Sequence, residues 1–175
     1  RDPEMSRGLG DVYKRQHISC AIMIVLIIIF DQITKHLASS VLKDGSIAKF
    51  IPELVQFRYA ENTGMAFSML SGARWIFIAV TVAACVLVAY YMFSNRCKSL
   101  WLYWSLGVIL SGGIGNLIDR VRFGYVVDFI EPTFVNFAVF NIADCAVTCG
   151  AVSLIAYLVF DMIRDSKQSK EKKNG

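Results

Sequence analysis

The stretch ISCAIMIVLIIIFDQITK, residues 18–35, decides the architecture. It is aliphatic and uncharged as far as Phe30, then carries Asp31 and Lys35 before the apolar run ends near Leu37. A segment of about 20 such residues is long enough to cross a hydrocarbon core of about 30 Å. Three further segments repeat the pattern. Residues 75–93 and 100–118 hold no charge, and residues 139–160 hold one acid, Asp144, near their start. The first segment is not read as a cleaved leader, because three more spans follow it and no small-residue cleavage site closes it.

Composition agrees. Of the 175 residues 55% are hydrophobic and only 18% charged, too little charge to cover a soluble domain of this size. The expected fold is an all-α membrane protein of four transmembrane helices. The net charge of +4 is modest and concentrated near the C-terminus, and no basic stripe with interleaved aromatics appears, so no nucleic-acid partner is expected. The five cysteines are odd in number and lack a framework spacing, which argues against disulfides. Cys145 and Cys149 stand one helical turn apart with no histidine near them in sequence. They read as small apolar helix residues, and no metal or other cofactor is expected.

Residues 1–16 are polar and glycine-containing, and the run DVYKRQ at 11–16 matches a translated sequencing adapter. They are read as a non-native leader. The membrane domain is then 17–165, and 166–175 form a basic tail, read as disordered and lipid-facing. Lys and Arg crowd the short loop 94–99 (Arg96, Lys98) and the tail (Lys167, Lys170, Lys172, Lys173). The positive-inside rule therefore puts both termini and the short loop in the cytoplasm, and both long connections outside. Residues 54–59 alternate, with Val55, Phe57 and Tyr59 on one side and Gln56 and Arg58 on the other, and 124–130 are rich in β-formers. A small extracytoplasmic β-cradle on the membrane surface is expected from them.

Carboxylates in or beside membrane spans are costly, so one that is present usually has a partner or a task. Asp31, Asp119, Asp128 and Asp144 all fall at the outer level of this topology. Asp31 and Lys35, one turn apart, suit an intrahelical ion pair that supports a site. Asp119 precedes Arg120 and is expected to pair with Arg120 or Arg122, and a carboxylate beside a cation makes a poor proton shuttle. Asp128 and Asp144 have apolar neighbours and no adjacent cation. Brought within about 4 Å, they would repel by about 4 kcal/mol at an effective dielectric of about 20. One would keep a proton while the other ionised, the arrangement that activates water and protonates a leaving amine. On the residues alone, a catalytic pair and a purely structural pair both fit. The glycine-rich run at 112–115 follows no strand and reads as close helix packing, not a phosphate loop. Asn62, Asn116 and Asn141 suit either helix caps and turns or contacts to a substrate backbone.

The blocks DQITK (31–35), AENTGMAF (60–67), GGIGNLIDR (112–120), VVDF (126–129) and FNIAD (140–144), in this order, resemble the signature blocks of the lipoprotein signal peptidase family, signal peptidase II. The resemblance covers nearly the whole chain after residue 16. It implies an aspartyl endopeptidase of the bacterial inner membrane that acts without a cofactor. The enzyme would remove signal peptides from prolipoproteins, cutting before a diacylglyceryl-modified cysteine. It implies Asp128 and Asp144 as the catalytic pair. Asn62, Gly64, Asn116, Arg120 and Asn141 would be in the substrate site, with Asp31, Lys35 and Asp119 supporting it. Its partners would be lipidated precursors and membrane lipid, with the chain a monomer and the site at the outer face. Two rival readings are a proton-conducting bundle, which needs acids through the membrane depth, and a scaffold subunit, which predicts no effect of removing single carboxylates.

Overall fold

A computed structural model describes residues 3–64, 74–94, 97 and 99–174, with side chains for 15–64, 74–94, 97 and 99–169. The apolar segments form α1 (Pro3–Leu42), α2 (Arg74–Phe93), α3 (Leu100–Arg122) and α4 (Ile142–Asn174). The portions long and apolar enough to cross a membrane are Arg15–Leu42, Arg74–Phe93, Leu100–Arg122 and Ile142–Ser169. Ile22, Val80, Leu87 and Ile155 point outward from the bundle. That costs nothing against lipid tails as apolar as they are.

The expected spans are therefore present, with shifted ends. The fourth begins at Ile142 instead of Val139, because Phe140 pairs with Ile130 as an isolated bridge before the helix starts. Residues 3–16 continue α1 as helix. The Lys-rich tail, expected to be irregular, extends α4 to Asn174, since Lys, Gln and Glu are good helix formers. Arg96, Lys98 and Met65 to Phe67, on which parts of the sequence reading rest, lie outside the described residues, as do the side chains of Lys170, Lys172 and Lys173.

α3 is the central helix and packs on α1, α2 and α4. Its glycines make the approach possible. A Cβ at Gly112 would strike the backbone oxygen of Ala143, and one at Gly115 would lie 2.7 Å from Asp31 Oδ2. The glycine-rich run is thus a packing surface, as expected. Farther along, Trp101 Nε1 and Ser105 Oγ reach Ser153 Oγ at 2.9 and 2.8 Å, tying α3 to α4 by polar contacts.

The two long connections build an antiparallel sheet in the order β1-β2-β3, from β1 (Ile47–Ile51), β2 (Val55–Asn62) and β3 (Val126–Pro132). The alternation read in 54–59 is observed. Phe57 faces Phe129, with ring centroids 6.0 Å apart, and joins the cluster of Ala38 and Leu42 on α1. Gln56 and Arg58 take the other side, where both bind Glu131. Hydrogen bonds from Arg58 and then Gln56 hold the Glu131 carboxyl below its ordinary range. β1 was not expected, and nothing in its exposed residues announces it.

The turn that matters for the site is at the end of α3. Gly124 has φ +88°, a conformation that costs glycine little. Phe123 N–H and Gly124 N–H return to the carbonyls of Asp119 and Arg120. Arg74 adds donors from α2 to the carbonyls of Arg120 and Val121. The chain reverses there and enters β3, which carries Asp128.

Candidate active site

The end of the molecule where α1 and α3 finish and α4 begins holds a fully buried polar network. Asp31, Lys35, Asp119, Asp128 and Asn141 are each at most 3% exposed, and Asn116 is 9% exposed. Among the described residues no buried side-chain nitrogen or oxygen lacks a partner. Burial on this scale is tolerable only when every group is satisfied.

Lys35 is the cation of the network. Its Nζ lies 2.9 Å from Asp31 Oδ2, 3.0 Å from Asp119 Oδ2 and 3.0 Å from Asn116 Oδ1. An ammonium has three donors, and all three are taken. The Asp31–Lys35 pair is therefore as read from sequence. The pairing of Asp119 with Arg120 or Arg122 is not. Successive helical side chains point about 100° apart, so Asp119 faces α1 while its arginine neighbours turn away. Arg122 is exposed and lies over the Phe123 ring, and Arg120 lies over Phe77 at 5.8 Å and reaches the Asn116 carbonyl. Asp119 also accepts from the Val127 amide of β3 and from Gln32 Nε2 at 3.0 Å. Gln32 contacts Asp31 and the Gly115 carbonyl as well. It was not singled out in the sequence, although a polar residue between two charged ones inside a span was the available signal.

The start of α4 is built as a reciprocal cap. Asn141 Oδ1 accepts from the Asp144 amide at 2.9 Å, and Asp144 Oδ2 accepts from the Asn141 amide at 3.3 Å. This is the capping-box arrangement, with Asp in the place of the usual Glu. Asp31 of α1 caps the next free amide, Ala143, at 2.9 Å.

Three asparagines turn their amide NH2 groups toward the two remaining carboxylates. Asn62 Nδ2 donates to Asp128 Oδ2 at 2.9 Å, while its Oδ1 accepts from Gly64 N–H at 2.9 Å. Gly64 has φ +82°, and a Cβ there would strike the Phe77 ring. Asn141 Nδ2 lies 2.6 Å from Asp128 Oδ1. Asn116 Nδ2 donates to Asp144 Oδ1 at 2.7 Å. Asp128 and Asp144 thus share Asn141, one from β3 and one from the first turn of α4. Asp128 is 1% exposed. Burial pushes its carboxyl up to about 6, with the Asp144 charge adding to the rise, against the pull of the Asn62 and Asn141 donors and the Lys35 charge.

The structure brings Asp31, Lys35, Asn62, Asn116, Asp119, Asp128, Asn141 and Asp144 into one hydrogen-bonded cluster. Gly64 touches it through Asn62, and Arg120 through the backbone of Asn116. Two acids from separate elements, one of them buried and held near 6, the other half-buried, and both gripped by neutral donors, form a set able to move protons.

Residues 23–160 match the profile of the family described as signal peptidase (SPase) II. A lipoprotein signal peptidase of Enterococcus faecalis is 39% identical over 150 residues, 86% of this chain and 91% of the relative. One of Streptococcus thermophilus is 40% identical over 141 residues, 81% of this chain and 92% of the relative. Among solved structures, a bacterial membrane enzyme determined by the in meso method at 1.9 Å resolution superposes with a TM-score of 0.76. It is 31% identical, and the match covers 80% of this chain and 92% of that one. Fold, four apolar helices and these matches together establish that the chain belongs to the signal peptidase II family.

Proposed function

We propose that this chain removes signal peptides from prolipoproteins, cutting before a diacylglyceryl-modified cysteine, with Asp128 and Asp144 as its catalytic aspartates. The observation that carries the assignment of residues is the shared grip of Asn141 on both carboxylates, whose direct hydrogen-bond donors are all neutral.

One aspartate takes a proton from a water molecule as that water attacks the scissile carbonyl carbon. The other, protonated, hydrogen-bonds the carbonyl oxygen. The tetrahedral intermediate collapses as a proton passes to the leaving nitrogen. Asp128, raised to about 6, is suited to hold a proton at mildly acid pH. Asn62, Asn116 and Asn141 orient the pair, Gly64 and Arg120 line the substrate path, and Asp31, Lys35 and Asp119 form the charged support beneath it.

The protein sits as a monomer in the bacterial inner membrane, with both termini cytoplasmic, by the Lys and Arg distribution. The site then faces outward at the lipid boundary. There a lipidated precursor lays its signal helix beside the spans and its acyl chains against their apolar faces.

The test is cleavage of a purified diacylglyceryl-modified precursor. Asp128→Asn and Asp144→Asn are each expected to abolish product while the variants stay folded in detergent. Turnover retained in either variant would move the catalytic role to another carboxylate, Asp119 first.

A further inference from the structure

Lys35 makes no hydrogen bond or ion pair to either Asp128 or Asp144, yet the network leaves one short path from it to the pair. Asn116 Oδ1 accepts from Lys35 Nζ at 3.0 Å and from Asn141 Nδ2 at 3.1 Å, while its Nδ2 donates to Asp144 Oδ1 at 2.7 Å. An amide rotated by 180° would turn its NH2 toward Lys35 and its oxygen toward Asp144. That would set donor against donor on one side and oxygen against oxygen on the other. An ammonium can only donate, so Lys35 forbids the flip. The ammonium itself is fixed from below by Asp31 and Asp119, which use its other two protons.

The other asparagines are held by the same device. Backbone N–H groups pin the oxygens of Asn62 (from Gly64) and Asn141 (from Asp144), leaving each NH2 to a carboxylate. Asn116 lies within α3, and its amide oxygen takes side-chain donors in place of a backbone N–H. The strong one of the two is Lys35, since a donor that carries charge binds about twice as strongly as a neutral one.

We propose that Lys35 is a positioning residue for the peptidase reaction, and that it acts through Asn116 by locking that amide with its NH2 toward Asp144. This rests on the assignment of Asp128 and Asp144 as the reacting pair. On this view the buried Asp31–Lys35–Asp119 cluster is the anchor of a hydrogen-bond donor to the pair. A cluster serving only to neutralise charge would act on the pair through its field alone, whether or not Asn116 stands between them.

The test is a double-mutant cycle read in kcat and KM with a diacylglyceryl-modified precursor. Lys35→Met keeps the stem and removes the donor. Because it leaves Asp31 and Asp119 unbalanced, Lys35→Met/Asp119→Asn is made as well, which removes one charge of each sign. In the Asn116 wild-type background both are expected to lower kcat by roughly tenfold or more, with KM nearly unchanged, as loss of an oriented donor does. In an Asn116→Ala background the same changes are expected to cost less than about threefold, because the path is already cut and coupled residues do not add. Equal losses in the two backgrounds would overturn the inference and leave Lys35 a structural cation. If the wild-type protein fails to cut the precursor, or Asp128→Asn still cuts it, the underlying assignment of the pair fails instead.

Discussion

Asn141 performs two tasks through two different atoms, and substitution separates them. Its Oδ1 caps α4 by accepting from Asp144 N–H, and its Nδ2 holds Asp128 Oδ1 at 2.6 Å. Serine is as good a cap as asparagine, but its hydroxyl is too short to serve both sites, whereas alanine serves neither. Loss of the cap is worth about 1 kcal/mol. Loss of the donor to a buried carboxylate is worth about 1.5–3 kcal/mol. Asn141→Ala should therefore cost about 2.5–4 kcal/mol and Asn141→Ser about 1.5–3 kcal/mol. For a chain of this length that gap of about 1 kcal/mol is a difference of roughly 2–4 °C in midpoint. The pH dependence of activity should not divide the variants. Both lose a hydrogen bond that holds the Asp128 carboxyl down, so in both it rises further above its present value of about 6. Any limb of the pH–rate profile that reports Asp128 moves upward in both variants alike. The assays are thermal unfolding in detergent and precursor cleavage between pH 5 and pH 9. A serine variant with the wild-type pH profile, or one as unstable as the alanine variant, would refute the division of labour.

Two further outcomes follow from burial and packing. In Gly115→Ala the new Cβ would fall 2.7 Å from Asp31 Oδ2 and 3.2 Å from Ala143 Cβ. Asp31 is held by Lys35 and by the Ala143 amide and has nowhere to go. The expected loss is about 1–3 kcal/mol, seen as a lowered unfolding midpoint with reduced turnover, and an unchanged midpoint would contradict the packing described. Asp128 has a folded value of about 6 against an ordinary 3.8, so the folded state prefers its protonated form. That preference favours the fold fully below about pH 4 and is lost as pH rises through about 6, leaving a buried ionised group that costs up to about 3 kcal/mol. Asp128→Asn, which cannot ionise, should gain stability relative to wild type on going from pH 4 to pH 8, and a difference that does not change with pH would refute the burial argument.

Much of this was legible in the sequence because membranes make rules strict. Spans must be long and apolar, so residues 18–37, 75–93, 100–118 and 139–160 announced themselves, and the scarcity of acids in or beside them marked Asp31, Asp119 and Asp144 at once. Phe57 and Arg58 showed their opposite faces through alternation alone. What stayed hidden was partnership across distant segments. Asp119 stands beside two arginines in sequence yet pairs with a lysine more than eighty positions earlier, because helix rotation and not adjacency decides which side chains meet. Gln32 was overlooked for the same reason, since its partners lie on α3. Strand β1 lacks any apolar alternation and exists because β2 offers it an edge.

The contact between Asp31 of α1 and the Ala143 amide of α4 has a consequence for biogenesis. The fourth of the described spans supplies Asn141 and Asp144, and it is clasped by a residue of the first. A chain synthesised only as far as residue 140 holds Asp128 but neither Asn141 nor Asp144, and so lacks half of the proposed catalytic pair. With Asp128 and Asp144 as the proposed pair, the site is expected to become competent only when the first and fourth described spans have met.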